Sequence, residues 1–215
     1  MNSLLNQCSI IGIDTEFDWR NTYFPVLSLI QVSLPDKIFL VDCLKCKNLS
    51  FLKKILENKN ILKIFHSVRS DSTILYSSLN VKMQNIFDIQ LAEKEILQEG
   101  IKSYALIVKN YFEINLPKSE TNSNWLKRPL SDNQLRYASD DVNYLIDIYK
   151  KQSKILKSKN VLEKVFELSN KECSLGSEKL ISMRLKKLKN INSHESKIFI
   201  WREERASQEN IPPSY

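Results

Sequence analysis

Apolar residues early in the chain come in continuous runs instead of at helical spacing. CSIIGIDTEF is an apolar run ending in polar residues, as a buried strand would be, and PVLSLIQVSL and DKIFLVDCL read as two more strands. Pro35 and Asp36 supply the turn between the second and third, which predicts a three-stranded antiparallel start. A helix is expected from Leu49 to Glu57, a short strand in ILKIFH, and a helix from Arg69 to Leu79 on the spacing of Ile74, Leu75 and Leu79. Helical segments are expected through IFDIQLAEKEIL and KSYALIVKNYF. Strands alternating with helices after an antiparallel start predict an α/β fold, a mixed sheet covered by helices.

The clearest local signal lies further on. Ser131 with Gln134 makes a capping-box pattern, and Leu135, Ala138, Val142, Leu145 and Tyr149 then mark one apolar stripe at helical spacing. Tyr137 and Asp141 are four residues apart, so both project from one edge of that stripe, beside the core. A tyrosine and an aspartate there also suit an ordinary boundary between core and solvent.

Three acids upstream allow the same double reading. Asp14 closes an apolar strand and Glu16 stands two residues on, so their side chains point the same way. A strand running out into a solvated loop would look alike. Asp71 lies shortly after another strand, near a helix start that favours negative charge whatever its function. Taken together, four carboxylates and one phenol on three segments suit a pair of divalent cations, which take oxygen ligands. Held roughly 3.5–4 Å apart, two such cations stabilise the attacking and leaving oxygens of a phosphodiester together.

Composition narrows the field. A chain of 215 residues, 42% hydrophobic and 27% charged, suits one globular domain with room for appendages. It has no apolar run of membrane-spanning length and no basic-then-apolar N-terminus, so a soluble, cytoplasmic protein without a membrane partner is expected. Cys43 and Cys46 form a C-x-x-C, which raises zinc or redox chemistry. A structural zinc needs four ligands, and only Cys8, Cys173, His66 and His194 remain, with no second close pair. Reduced thiols are the expectation. The net charge of +7 is uneven: from Lys150 to Lys189, 12 Lys and Arg face 4 Glu, leaving the remaining chain near neutral. Such a stretch suits a polyanionic partner, and a solvated helix face would carry the same charge.

With these residues in place, the sequence resembles the ribonuclease D family, in the DEDD superfamily of 3′-5′ exonucleases with Tyr in the third motif. DTEFDWRNTYFPVLSLIQVS is similar to the first motif, including the Tyr-Phe-Pro turn and the Ile-Gln that follows. KIFHSVRSDSTIL resembles the second, with His66 five residues before Asp71, and NIFDIQLA the segment after it. LPKSETNSNWLKRPLSDNQLRYASDDVNYLIDIY resembles the third motif and its long approach, including Lys118, Ser119, Trp125, Arg128 and Pro129.

The resemblance implies a ribonuclease H-like fold and metal-dependent release of nucleoside 5′-monophosphates from RNA 3′ ends, as in trimming tRNA or other stable-RNA precursors. Two divalent cations, Mg²⁺ or Mn²⁺, are the implied cofactors. Asp14, Glu16 and Asp141 would hold the first, Asp14 would bridge to the second with Asp71 supporting it through water, and Tyr137 would orient the attacking water. No Ser or Cys nucleophile is then needed. His66, Phe17 and Lys118 are candidate substrate contacts, although for His66 a structural place at the strand-to-helix turn is the favoured reading. Trp125 is expected as a packing anchor. Short oligonucleotides or single-stranded DNA would suit the same site, and a catalytically dead RNA-binding relative is the alternative from another class. The intact five-residue set speaks against the last.

The implied organisation is an exonuclease domain over 1–155, a basic helical connector over 156–189, and an incomplete start of a helicase-and-RNase-D C-terminal domain over 190–215. SKIFIWREERASQENIPPSY resembles the opening helix and Pro turn of that module, and one helix cannot bury a core of its own. A monomer is expected.

Overall fold

The computed structural model describes residues 8–46, 48–117, 120–188 and 192–213. One sheet contains β1 (Ile10–Asp18), β2 (Val26–Ser33), β3 (Ile38–Asp42), β4 (Leu62–Phe65) and β5 (Ile86–Asp88), in the order β3-β2-β1-β4-β5. The first three strands pair antiparallel, whereas β4 runs parallel to β1 and β5 parallel to β4. The crossovers carry α1 (Ser50–Leu56) and α2 (Arg69–Leu79). The helices that follow are α3 (Ile89–Leu97), α4 (Tyr104–Phe112), α5 (Asp132–Asn143), α6 (Leu145–Ser158), α7 (Leu162–Gly176), α8 (Leu180–Leu185) and α9 (Ser193–Glu209). This is the expected mixed α/β sheet covered by helices. Among the described residues, no helix is long and apolar enough to cross a membrane.

Strand alternation assigns β1 two faces. Ile11, Ile13 and Thr15 face α2, where Ile30, Val32, Ile74 and Leu75 complete a core. Gly12, Asp14 and Glu16 face α5 and α6. A side chain at Gly12 would collide with Ser33 and Leu145, so this glycine lets α6 lie directly on the strand.

Two expectations need correction. Ile86–Asp88 is a strand, not the start of a helix: it pairs with Lys63–Phe65, and Asp88 then caps α3 by accepting from the Gln90 amide. A short apolar run does not distinguish the two elements by period. The helix bearing Tyr137 is two helices broken at Tyr144, and Leu135 is 38% exposed while Gln134 takes the buried place. The capping box is present, and Gln134 Nε2 also donates to Ser123 Oγ at 2.9 Å and the Asn124 carbonyl at 3.2 Å, which holds Gln134 inward.

The basic stretch also carries packing contacts. α7 packs on the sheet with Val165, Ser169, Cys173 and Gly176 buried. Ser169 Oγ accepts from the Asp88 amide at 3.0 Å, and Ser72 Oγ donates to the Cys173 carbonyl at 2.6 Å. A Cβ on Gly176 would strike the Arg69 carbonyl and Ser72, so the end of α7 sits directly against the first turn of α2. Lys150, Lys164, Arg184 and Lys186 form ion pairs with Asp147, Glu95, Glu203 and Glu178. Four of the twelve cations of the stretch therefore have carboxylate partners, and an apolar stripe lies beneath them. α9 likewise does not stand alone: Ala206 is buried with Tyr23 and Leu180.

Candidate active site

Three carboxylates meet at the end of β1. Asp14, Glu16 and Asp141 each present an oxygen, and these atoms lie within 4.8 Å of one another. The first two come from one face of β1, and the third from α5, which crosses that face. β2 carries an extra residue, Ser28, opposite the Glu16–Phe17 step, a bulge where the strand leaves regular pairing beside the acids.

Asp71 approaches from the other face. It stands in the first turn of α2, is 5% exposed, and accepts a 2.6 Å hydrogen bond from Thr15 Oγ1. Thr15 is thus the link through the sheet between the two halves of the cluster. Behind Asp71, the Asp88 carboxylate accepts from the amides of Ser67 (3.0 Å) and Val68 (2.9 Å), clamping the turn before α2.

Asp141 is aimed by a side chain distant in sequence, that of Tyr104. The Tyr104 hydroxyl donates to the Asp140 carbonyl at 3.0 Å and accepts from the Tyr144 amide at 3.2 Å. Those two backbone groups would bond each other in an unbroken helix, so Tyr104 is inserted into the ladder and separates α5 from α6. Neither Thr15 nor Tyr104 stands out in the sequence. Asp88 left a faint signal as a polar residue capping the next helix.

The Tyr137 hydroxyl lies beside Asp141, whose pKa it lowers, and 3.5 Å from Thr121 Oγ1. Trp125 is 3% exposed with its ring 6.0 Å from that of Tyr137, a packing anchor behind the phenol. Arg128 fixes the loop that carries Trp125, pairing with both Asp42 oxygens at 2.7 and 2.8 Å and donating to the Trp125 carbonyl at 2.7 Å. The cleft in front holds about 470 Å³, lined by the three acids, Phe17, Trp19, Arg20, Asn122 and Tyr137 among others. Phe17 packs partly into the core while facing it. A smaller hollow of about 180 Å³ shares Asp14, Tyr137 and Asp141 and adds His66 and Tyr104. His66 Nε2 lies 3.0 Å from the Lys102 carbonyl and 3.2 Å from the Gln90 amide nitrogen, and burial lowers its pKa. That is a structural place with one side on the hollow. Lys118 and Ser119 lie outside the described residues.

Electrostatics mark the cluster as incomplete without counter-charge. Burial, then repulsion from Asp71, Asp141 and Glu16, holds Asp14 well above the usual carboxylate range. Burial followed by Asp141 and Asp71 pushes Glu16 up to about 9. Burial raises Asp71 to about 7, against the opposing Thr15 hydrogen bond. It raises Asp141 to about 7 as well, with the Tyr137 hydroxyl opposing. Hard oxygen donors that repel one another are a set that divalent cations satisfy. Among the described residues this is the one such group. The C-x-x-C is not a second: Cys43 Sγ donates to the Val41 carbonyl at 3.5 Å, and burial pushes the thiol up to about 12.

A stability dependence follows. The folded carboxyls keep protons that the unfolded chain has released, so metal-free stability should fall as pH rises from about 4 towards 9. Added Mn²⁺ should reverse this, raising the melting temperature by about 5 °C or more at pH 8.5 and much less at pH 5.5. Thermal melts with chelator and with Mn²⁺ at both pH values check it; an equal Mn²⁺ effect at the two would contradict it.

Residues 1–157 match a family described as 3′-5′ exonuclease. A ribonuclease D of Desulfotalea psychrophila is 37% identical over 213 residues, covering 94% of this chain and 57% of that protein. A ribonuclease D of Bartonella henselae is 33% identical over 221 residues, covering 97% and 53%. The chain thus spans about half the length of the curated relatives it matches. Escherichia coli RNase D superposes with a TM-score of 0.88 at 24% identity, covering 99% of this chain and 59% of that one. Brucella melitensis NrnC with bound Mg²⁺ superposes with a TM-score of 0.72 at 22% identity, covering 87% and 92%. These superpositions establish the ribonuclease H-like fold. Matched by the exonuclease family over 1–157 and by ribonuclease D sequences over almost its whole length, the chain belongs to the 3′-5′ exonuclease family.

Proposed function

We propose that the chain is a metal-dependent 3′-5′ exoribonuclease that hydrolyses terminal phosphodiesters and releases nucleoside 5′-monophosphates from RNA 3′ ends. The observation that carries this reading is the convergence of Asp14, Glu16 and Asp141 within 4.8 Å at an open cleft. Two relatives bear the name ribonuclease D, and the Escherichia coli structure is described as an exoribonuclease involved in structured RNA processing. Trimming of tRNA or other stable-RNA precursors is the corresponding cellular role here, by a cytoplasmic monomer.

Asp14, Glu16 and Asp141 would hold one divalent cation, Mg²⁺ or Mn²⁺. Asp14 would be shared with a second, and Asp71 would support that second one through water. When bound, the cations neutralise the charge that develops on the attacked phosphate and its leaving oxygen. The protein's own part is positional. Thr15 fixes the Asp71 carboxylate, and Tyr104 sets the angle at which α5 presents Asp141. Burial pushes Tyr137 up to about 12, so at neutral pH its phenol keeps its proton and serves to orient the attacking water.

Tyr137→Phe should therefore lower kcat by about 10²-fold and leave Mn²⁺ affinity nearly unchanged. Steady-state kinetics beside calorimetric Mn²⁺ titration test this, and lost metal binding would refute the assigned role. Brucella melitensis NrnC has been solved bound to pGG. That supports a second reading, in which the preferred substrates are very short oligonucleotides. Comparing kcat/KM on a dinucleotide, a longer RNA and DNA of matching sequence, with Mn²⁺, separates the readings; activity on none would overturn both.

A further inference from the structure

The loop between β1 and β2 lines the cleft with Trp19 and Arg20, and Arg20, whose Nε donates to Asp18 at 2.7 Å, is the one Lys or Arg among the described residues lining it, beside Asp14, Glu16, Asp18 and Asp141. The loop turns away at Tyr23, which is 3% exposed and packs with Leu180 of α8 and Ala206 of α9. Trp19 is tied to that turn, its Nε1 donating to the Tyr23 carbonyl at 2.9 Å. The Arg184 guanidinium lies 4.6 Å from the Tyr23 ring centre and 6.0 Å from that of Trp19. Its Nη1 pairs at 2.8 Å with Glu203, a carboxylate only 1% exposed that also pairs with Arg202 Nη2 at 3.3 Å and acts on the Tyr23 hydroxyl beside it. One residue further along the loop, the Phe24 amide donates to Asn210 Oδ1 at 3.1 Å, at the end of α9.

A buried acid matched to two arginines beside a tyrosine is a costly arrangement unless its partners stay together, and it ties the register of these segments to that meeting. Here the register joins the C-terminal helices to one wall of the cleft. We infer that α8 and α9 position the β1–β2 loop so that Trp19 and Arg20 engage the nucleotides preceding the one removed, with Arg184 as the positioning residue. Trp19 offers a ring for base stacking and Arg20 a charge for phosphate. The metal-binding acids do not depend on this wall, since Asp14 and Glu16 are fixed by sheet pairing and Asp141 by α5.

This inference rests on the proposed nuclease reading, and its test separates the two. The variants are Arg184→Met, the charge-balanced pair Arg184→Met with Glu203→Gln, and Tyr23→Phe, which removes only the hydroxyl. The first readout needs no activity: trypsin cleavage after Arg20 should be faster by about tenfold in the Arg184 variants, because the loop opens locally. The second is kinetic. KM for a single-stranded oligoribonucleotide should rise by about tenfold, as loss of one stacked base would, while hydrolysis of a nitrophenyl ester of thymidine 5′-monophosphate stays within about twofold of wild type. Tyr23→Phe should move both readouts in the same direction by less. Unchanged trypsin cleavage and unchanged KM in a folded variant would overturn the inference. So would an equal loss on oligonucleotide and ester, which would mean that the whole site had collapsed. A wild-type protein inactive on both substrates would instead refute the nuclease reading, and trypsin cleavage would still show whether the helices hold the loop.

Discussion

Asp14→Asn should abolish hydrolysis, lowering kcat by about 10³-fold or more, while RNA affinity stays within a few-fold of wild type. Asp14 is the acid with most neighbours in the cluster, flanked by Asp71, Asp141 and Glu16. A group that holds cations at the scissile phosphate contributes several kcal/mol to the transition state, and each ~1.4 kcal/mol is a factor of ten. The same substitution should have an opposite effect on the fold. It removes one charge from a crowded, buried set, so metal-free Asp14→Asn should melt above wild type at pH 8.5 and lose most of the Mn²⁺-induced rise. Opposite signs for activity and apo stability distinguish a metal-binding acid from a structural one, since a structural acid would lose both. Single-turnover kinetics and paired melts measure the two quantities.

The second large effect concerns chain length. A protein ending at Tyr149 should fail to fold. Leu156 and Val165 are fully buried, and Leu162 and Phe166 pack against them. Each such side chain contributes about 1.5–3 kcal/mol, against a whole-domain stability of about 5–15 kcal/mol. Gln152 would go too, and its Nε2 donates to the Ile89 carbonyl and to Glu93, a carboxylate only 2% exposed. Without Gln152, Glu93 would keep only the Tyr111 hydroxyl among these partners. Circular dichroism and thermal melting of the shortened chain would test this. A cooperative melt near the full-length value would show that α7 is dispensable.

What the sequence made legible follows from the range over which each feature is determined. The strands β1 to β4, α2 and the capping box of α5 are set by local runs and spacings, and they stand where the pattern puts them. β5 was hidden because three residues carry no period, and only its pairing with Lys63–Phe65 makes it a strand. The break at Tyr144 was invisible for a related reason: its cause, Tyr104, is distant in the chain. The meeting of Asp14, Glu16 and Asp141 could be anticipated from motif order, but Asp71's approach from the opposite face of the sheet through Thr15 could not. Counting lysines over Lys150 to Lys189 could not reveal the apolar stripe beneath them, nor partners such as Glu95 and Glu203, because charge along a sequence carries neither.

The product of the reaction tests the central claim most directly. An RNA labelled along its length, incubated with the protein and Mn²⁺, should release nucleoside 5′-monophosphates one at a time from its 3′ end. Release should stop with chelator, with a 3′-phosphate on the RNA, or with Asp14→Asn. Internal fragments, nucleoside 3′-monophosphates, or release that persists in Asp14→Asn would contradict it.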